Sequence, residues 1–283
     1  MDYTYRLLNV FADGSDPFSG NCVAVFEDAS DLTTDQMQSL ARQVNTETVF
    51  LLPHVDGPRT GVRFFSPEKR TGFAGSASLA TAAVIRDLHG IMDDITLTED
   101  SKGEYKVFRR DEWWILQAHE TQATALKASP QILASLVGLN TDAIHGDVMT
   151  INNGRSGLVL PVRSVEDVRD TRLDARLLHS YAMLLNTEPQ VYVWANSDED
   201  DSTIVSRMFY GPRGGVLEVA ATGTGGVNLG AWHRAMGVTG IRRRVIQGRV
   251  TGHLSELDLR VDEDGSVYVG GRVRQVAQGT FSI

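Results

Sequence analysis

The chain of 283 residues lacks several features that mark particular classes of protein. It has a single cysteine, Cys22, which excludes an intramolecular disulfide and any mechanism that needs two cysteines. No hydrophobic run approaches a membrane span of roughly 20 residues, so no membrane contact is expected. Beyond Arg242 to Arg244 there is no basic cluster, and the formal net charge is −9. Nucleic acid is therefore not an expected partner, because phosphate binding needs a basic surface.

Metal ligands and targeting signals are missing as well. None of the seven histidines stands at a metal-ligand spacing from another His, Cys or carboxylate, so no metal site is expected. The first residues, Met1 to Arg6, enter a strand pattern at once instead of forming a signal peptide, and a cytoplasmic location is the expectation. Hydrophobic residues make up 42% and charged residues 22%, as in ordinary globular proteins. The length suits two domains of about 140 residues each.

Two short sequences recur between the halves of the chain. Asn45-Thr46-Glu47 returns as Asn186-Thr187-Glu188, and Gly75-Ser76 returns as Gly223-Thr224, at offsets of 188 − 47 = 141 and 223 − 75 = 148. The predicted order in each half is a strand, a helix, the tripeptide Asn-Thr-Glu and a second strand, followed later by a glycine-rich turn at the start of a second helix. Such a duplication predicts two equivalent helix N-termini facing each other across a cleft, with a carboxylate nearby.

Periodicity predicts mostly antiparallel strands around one central helix in each half. Thr33 and Gln36 form a capping-box pattern for the first helix, and Asp174 is predicted to cap its counterpart. We expect a first domain over residues 1–123 and a second over 124–283, with the last strand able to cross to the first domain. The predicted strands cover residues 3–10, 21–27, 49–52, 61–66, 93–98, 104–109, 113–118, 157–163, 191–194, 244–249, 255–261 and 266–276.

Each glycine-hydroxyl turn is a candidate substrate-binding site. A helix start presents N–H groups that lack an intrahelical acceptor, and the macrodipole favours a negative ligand there. The alternative is that small residues merely allow a buried helix to pack closely. The run of glycines from residue 223 to 226 exceeds what packing should need. The candidate residues are Gly75, Ser76 and Ala77 in the first turn and Gly223, Thr224 and Gly225 in the second.

Glu47 is the candidate general base and acid. It falls just beyond a predicted helix, at the start of an apolar strand, where a carboxylate could reach the first glycine turn. The alternative is an exposed carboxylate at a strand start. Glu188 has the same local sequence but is followed by Pro189, so we interpret it as a vestigial partner.

The chain resembles the phenazine-biosynthesis (PhzF-like) isomerase family, which has the diaminopimelate epimerase type of fold. The resemblance extends over essentially the whole chain. It is carried by these segments: Asn9 to Ala12, Gly20-Asn21, Val23 to Phe26, Asn45 to Phe50, Phe65 to Pro67, Phe73 to Gly75, Ala221 to Thr224, Gln247-Gly248 and Val269 to Gly271.

The resemblance implies an α+β fold of two pseudo-symmetric domains. Each would be a curled, barrel-like, mostly antiparallel sheet around a central α-helix, with the active site between the domains and usually a homodimer. In the phenazine enzyme a Glu at the position of Glu47 moves a proton within a dihydro-hydroxyanthranilate and shifts a double bond without a cofactor. The implied function is a cofactor-independent isomerase of a small, cyclic, carboxylate-bearing metabolite. Asn21, Val219 and Gln247 are further candidates for substrate binding.

Several positions depart from the family pattern. The family has Gly-His-Pro where this chain has Gly-Ser-Ala at Ser76, and Glu-Asp-Pro where it has Glu-Val-Ala at Val219. Arg70 stands where the pattern usually has Glu, and Gly72 where it often has Pro. The lost His and Asp should weaken activity on the phenazine precursor, and Val219 predicts a less polar substrate at that end.

Other functions remain open from the sequence. A lyase, dehydratase or cyclase could use Glu47 to remove a proton without returning it, and a ligand-binding relative could have lost catalysis with the His and Asp. Retention of Glu47 favours an enzyme. Epimerisation by two opposed cysteines is nearly excluded, because those positions carry Ser76 or its neighbours and Thr224.

Overall fold

The computed structural model of the chain describes residues 1–56, 58–72, 74–99, 103–154 and 156–283. It divides into two compact units: unit 1 comprises Met1–Gln117 with Val269–Ile283, and unit 2 comprises Ala118–Tyr268. The first point of division lies at residue 117, where the sequence predicts 123. Phe73 of the family motif lies outside the described residues.

The first segment of unit 1 contains two helices and eight strands among its described residues. They are, in chain order, β1 (Asp2–Val10), β2 (Asn21–Phe26), α1 (Thr34–Val44), β3 (Glu47–Asp56), β4 (Arg59–Phe65), β5 (Arg70–Thr71), α2 (Gly75–His89), β6 (Ile95–Glu99), β7 (Gly103–Arg110) and β8 (Trp113–Gln117).

The following segment supplies the elements of unit 2, and two more strands complete the chain. They are β9 (Gln122–Ala125), α3 (Pro130–Val137), β10 (Met149–Asn152), β11 (Ser156–Pro161), α4 (Val165–Asp170), α5 (Ala175–Leu185), β12 (Gln190–Asn196), β13 (Thr203–Tyr210), β14 (Leu217–Val219), α6 (Gly223–Ala235), β15 (Ile241–Gln247), β16 (Ser255–Val261), β17 (Val267–Gly271) and β18 (Val273–Ser282).

The two units repeat one pattern of strand pairing. In unit 1, β1–β2, β3–β4, β4–β5 and β6–β7 are antiparallel, whereas β2–β3 and β4–β6 are parallel. In unit 2, β10–β11, β12–β13, β13–β14 and β15–β16 are antiparallel, whereas β11–β12 and β13–β15 are parallel. The connections across the parallel pairs contain helices in both units. The structure thus carries the internal duplication that the sequence echoes indicate.

One buried helix lies against the sheet of each unit. Helix α2 is buried from Gly75 to Ala82 and contacts β1, β2, β3, β6, β7, β8 and β18. Helix α6 is buried over most of its length and contacts β9, β10, β11 and β16. A Cβ placed at Gly230 of α6 would lie 2.5 Å from Cγ1 of Val267, so this helix approaches its sheet closely. The predicted curled sheet around a central helix is confirmed in each unit.

A second helix layer covers the other face of the sheet. In unit 1 the capping box of Thr33 and Gln36 starts α1 as predicted, and Met37 packs on Phe50 and Phe65. In unit 2 the side chain of Asp174 caps α5, also as predicted. The apolar layer of unit 2 includes Leu133, Leu136, Val168, Leu178, Val191, Val193 and Phe209.

Some predicted elements are wrong. The strand predicted over 266–276 is two strands, β17 and β18, which separate beside Gly271. A Cβ at Gly271 would lie 2.3 Å from Cδ1 of Phe11, and the Ala12 N–H donates to the carbonyl of Arg272. Helices α3 and α4, of eight and six residues, were missed because so few residues show no clear helical period. Strands β9 and β10, of four residues each, were missed as well. Among the described residues, no helix combines the length and apolar character that crossing a bilayer requires.

Candidate active site

Glu47 is the first residue of β3, and it follows the C-terminal end of helix α1 closely. The C-cap of helix α1 is Asn45, which adopts the left-handed conformation at φ 59° and donates its N–H to the carbonyl of Ala41. Asn tolerates this conformation better than most residues, so the tripeptide Asn-Thr-Glu marks the C-terminal end of the helix. The Thr46 hydroxyl donates a hydrogen bond to the Cys22 carbonyl at 2.7 Å, which attaches the segment after α1 to β2. The local sequence therefore holds the backbone of Glu47 against β2.

The carboxylate of Glu47 is bonded on one oxygen only. Oε2 accepts hydrogen bonds from the hydroxyl of Ser76 and from Nδ2 of Asn21, the latter at 3.4 Å. Oε1 has no hydrogen-bond partner among the described residues. Ser76 is 3% exposed, whereas Glu47 and Asn21 are half-buried. The structure thus brings together three sequence-predicted residues from β2, β3 and α2.

Helix α2 begins at Gly75 without a side-chain cap. Its N-cap residue is Ala74, which offers no side-chain acceptor to the first turn. The N–H groups of Gly75, Ser76 and Ala77 belong to the turn that an α-helix leaves without intrahelical acceptors, and all three residues are buried. The positive end of the macrodipole lies there as well. This end of α2, with Glu47 beside it, can therefore receive a negative group.

The second predicted turn begins α6, and its cap differs. The hydroxyl of Thr222 accepts a hydrogen bond from the Gly225 N–H at 3.3 Å. A Cβ at Gly225 would lie 2.5 Å from Cε2 of Tyr192, so close packing requires this glycine. The inference that the turn holds more glycine than packing needs is therefore wrong for Gly225. Gly223 is buried and Thr224 is half-buried.

Val219 and Gln247 lie together in unit 2. Gln247 is 1% exposed and donates through Nε2 to the carbonyl of Val219 at 3.0 Å. Gly248 follows with φ +79°, and a Cβ there would lie 2.0 Å from the His253 carbonyl oxygen and 2.7 Å from that of Ala220. Gln247 and Gly248 therefore hold the backbone that leads into the second turn, and the Val219 side chain stays half-buried.

An ion pair with little solvent exposure involves Glu218, the residue before Val219 in β14. Arg207 binds both carboxylate oxygens of Glu218, at 3.0 and 2.7 Å, and its side chain is 7% exposed. The remaining nitrogen of Arg207 donates to the carbonyls of Val168, Arg169 and Thr171. Sequence reasoning singled out Glu218 only as part of the family motif and missed Arg207. The signal that could have found it is a lone Arg within an apolar strand, which burial allows only with a partner.

Glu188 and Cys22 do not share the environment of Glu47. Glu188 is exposed and precedes β12 by two residues, whereas Glu47 begins its strand. Burial raises the pKa of the Cys22 thiol, so it stays protonated at neutral pH. Cys22 is a free, half-buried cysteine. In the described parts of the chain, no three His, Cys, Asp or Glu side chains are grouped to hold a metal ion.

The duplicated units, each a sheet around one central helix, have the fold of solved proteins of the hydroxyproline epimerase and proline racemase type. A solved hydroxyproline epimerase from Agrobacterium vitis has this fold, with a TM-score of 0.64 at 14% identity over 100% of this chain and 93% of its own. The chain belongs to the PhzC-PhzF family, described as phenazine biosynthesis-like protein, whose family model matches residues 8–279.

Three relatives agree with this assignment, two of them over nearly the whole chain. A protein named as an uncharacterised isomerase from Pasteurella multocida is 30% identical over 99% of this chain and 94% of its own length. A trans-2,3-dihydro-3-hydroxyanthranilate isomerase from Pseudomonas fluorescens is 40% identical over 84 residues, 29% of this chain and 30% of that protein. A solved structure described as a predicted epimerase from Pseudomonas aeruginosa aligns with a TM-score of 0.83 at 27% identity over 99% of both chains. The protein is an enzyme of this isomerase family.

Proposed function

We propose that the protein is a cofactor-independent isomerase that moves a proton, and with it a double bond, within a small cyclic carboxylate-bearing metabolite. The observation that carries the proposal is the Glu47 carboxylate, fixed through Oε2 by Ser76 and Asn21 and open at Oε1 beside the uncapped start of α2.

The proposed reaction balances without a further reactant. Oε1 of Glu47 removes a proton from a carbon next to a double bond, and the electron pair of that C–H bond moves into the conjugated system. The double bond shifts by one position, and the proton returns from Glu47 to the carbon at the far end of the system. Only the position of one proton and of the double bond changes.

The start of α2 is the proposed site for the substrate carboxylate. The first-turn N–H groups and the positive end of the helix favour a negative group, and developing charge on the conjugated system would be stabilised there too. Gly75 and Ala77 contribute through their backbones. Within unit 2, the turn of Gly223, Thr224 and Gly225 is the second proposed binding element, and Val219 presents an apolar side chain near it.

Deuterium wash-in tests this function. The purified enzyme is incubated in D2O with trans-2,3-dihydro-3-hydroxyanthranilate, the substrate in the name of the Pseudomonas fluorescens relative, and with a panel of cyclic unsaturated carboxylates. Mass spectrometry and proton NMR then locate the incorporated deuterium. We expect exchange at the carbon that loses the proton and at the carbon that receives it. Turnover of trans-2,3-dihydro-3-hydroxyanthranilate should be weak, because Ser76 and Val219 replace polar residues of the family.

The Glu47→Gln variant keeps the size of the side chain and removes the base. We expect exchange to fall by about 100-fold to 10,000-fold, the range that general acid–base catalysis contributes. The matched control is Glu188→Gln, which changes the same tripeptide at its exposed copy and should leave exchange intact. Exchange that survives Glu47→Gln would refute the proposal. Loss of the proton without its return would show a lyase instead.

The remaining expectations belong to the same proposal. The enzyme would act as a homodimer on a small-molecule carboxylate, without nucleic acid. Light scattering coupled to gel filtration measures the mass directly against the 31.0 kDa of one chain. A mass of one chain at assay concentration would contradict the homodimer.

A further inference from the structure

The two oxygens of the Glu47 carboxylate are not equivalent. Oε2 accepts hydrogen bonds from Ser76 and Asn21, whereas Oε1 bonds to no described residue. We propose that Ser76 and Asn21 are positioning residues that hold Glu47 through Oε2, so that Oε1 alone exchanges the proton with the substrate. This inference rests on the proposed function, because it assumes that Glu47 is the base.

Both donors are fixed by elements other than the strand that carries Glu47. Ser76 is the second residue of the buried helix α2, and its short side chain has one rotatable bond before the hydroxyl. Asn21 is the first residue of β2 and pairs with Val10 of β1. The carboxylate is therefore held between a helix and a strand. That arrangement restricts its rotation and keeps one oxygen in a constant position.

The direction of the hydrogen bonds selects the reactive oxygen. The carboxylate accepts, so the Ser76 hydroxyl and the Asn21 amide both point hydrogens at Oε2. A proton arriving on Oε2 would meet these donor hydrogens and displace at least one of them. Oε1 has open lone pairs, and protonation there leaves both hydrogen bonds intact. Proton transfer through Oε1 therefore requires less rearrangement of the site.

This arrangement gives Ser76 a different role from direct substrate binding. Its hydroxyl hydrogen is already committed to Glu47, so only its backbone N–H remains for a substrate anion. The serine hydroxyl does not become protonated near neutral pH, whereas the histidine that stands here in the family pattern can. Loss of the hydroxyl should therefore slow the proton transfer while substrate affinity stays nearly unchanged.

Kinetics with trans-2,3-dihydro-3-hydroxyanthranilate, followed as deuterium exchange, separate these roles. Ser76→Ala should lower kcat by about 100-fold with little change in KM, because misplacing a catalytic group by about 1 Å can have that effect. Ser76→Thr keeps the hydroxyl and should retain most of the activity. Asn21→Ala should have a smaller effect, since its hydrogen bond is the longer one. Ser78→Ala is the matched control: it removes another buried hydroxyl of α2, one that bonds to the Ala74 carbonyl instead.

A spectroscopic measurement tests the contact without any substrate. With 13C at the side-chain carboxyl of every Glu, the Glu47 signal is the one that disappears in Glu47→Gln. We expect this signal to shift in Ser76→Ala and to stay in place in Ser76→Thr and Ser78→Ala. All variants are first compared by thermal unfolding, so that a folding defect is recognised separately.

The outcomes distinguish the two proposals. If exchange survives Glu47→Gln, the proposed function is wrong and this inference with it. If the enzyme needs Glu47 but Ser76→Ala leaves kcat and the Glu47 signal unchanged, this inference alone is wrong. A rise in KM without a fall in kcat would also overturn it, because it would assign the Ser76 hydroxyl to the substrate.

Discussion

At the scale of single residues, identical sequence does not give an identical environment. Asn45 and Asn186 both end a helix in the left-handed conformation, at φ 59° and 50°. The glutamates two residues later differ: Glu47 begins a strand and accepts hydrogen bonds, whereas Glu188 is exposed and precedes Pro189. Proline restricts the residue before it and donates no hydrogen bond. The tripeptide thus ends a helix in both units, and its neighbours decide whether the carboxylate is held by hydrogen bonds or exposed.

His233 is a buried residue whose charge state should affect stability. Its ring lies 5.3 Å from that of Trp194 and 5.2 Å from that of Trp232, and neither ring nitrogen has a hydrogen-bond partner among the described residues. Burial, together with the positive charge of Arg243, lowers the pKa of His233 to about 4. The unfolded chain would protonate this side chain near pH 6.5. Between these values the unfolded state binds more protons, so stability falls as the pH falls.

We expect acidification from pH 7 to pH 5 to cost the enzyme about 2 kcal/mol through His233. His233→Phe keeps an aromatic ring and removes the titratable group, so its free energy of unfolding should fall by that much less over the same interval. Urea unfolding of both proteins at the two pH values measures the difference. Equal losses in the two proteins would contradict the assignment.

The pair of Arg207 and Glu218 allows a second test on single residues. Glu218→Leu leaves the Arg207 charge buried without its carboxylate, and we expect a loss of about 3 kcal/mol in the free energy of unfolding. Adding Arg207→Met to that variant should recover part of the loss, because the unpaired charge disappears. Chemical denaturation of the wild type, both single variants and the double variant gives the coupling energy. A double variant less stable than Glu218→Leu would contradict this account.

At the scale of elements, the two central helices begin differently. Helix α2 starts after Ala74 and has no side-chain cap, whereas α6 starts after Thr222, whose hydroxyl bonds to the Gly225 N–H. A threonine cap commonly contributes about 1 kcal/mol. The uncapped helix is the one that stands beside the Glu47 carboxylate. The start of α2 thus lacks the stabilisation that a cap gives to α6, and its N–H groups stay available for the proposed function.

Gly225→Ala should disrupt the start of α6. The added Cβ would lie 2.5 Å from the ring of Tyr192 and 2.6 Å from Cγ2 of Thr222, so the ring or the cap must move. Overpacking of this kind costs about 1–3 kcal/mol, and we expect a lower melting temperature together with lower activity. Gly215→Ala is the control, because its nearest atom would lie at 3.5 Å. If both variants melt together with the wild type, the contact is unimportant.

At the scale of the whole molecule, the chain builds unit 1 from both of its ends. Strand β18 pairs with β1 from Asp2 opposite Ser282 to Val10 opposite Val273. Strand β1 pairs with β2 on its other side, and β2 carries Asn21. The last strand therefore supports the layer that positions the proposed base.

Removal of residues 273–283 tests this support. We expect β1 amides of the truncated protein to lose hydrogen-exchange protection by about 100-fold or more, because β1 would become an edge strand. Amides of β12, in unit 2, serve as the internal control and should stay protected. Unchanged protection of β1 would show that β18 contributes little to unit 1.

Much of the fold could be predicted from local sequence. The capping box at Thr33, the cap at Asp174 and the helix starts at Gly75 and Gly223 each depend on a few neighbouring residues, and all four are present in the structure. Strand β9, Gln122–Ala125, could not be predicted because it has no large apolar side chain to mark an alternation, and α4 could not because six residues complete fewer than two helical turns. The predicted substrate-binding roles of the two turns remain predictions.

The sequence by itself determined the duplication, the candidate base Glu47 and the two turns, because repeats, helix exits and helix starts are encoded in short stretches of chain. Only the tertiary structure decided which atoms meet. Asn21, Glu47 and Ser76 are far apart in the sequence, and their contact depends on the parallel pairing of β2 with β3 and on the burial of α2 against that sheet. The same holds for Arg207 and Glu218, which pair across the antiparallel strands β13 and β14. Long-range pairing sets the direction of each hydrogen bond, and no local pattern contains that information.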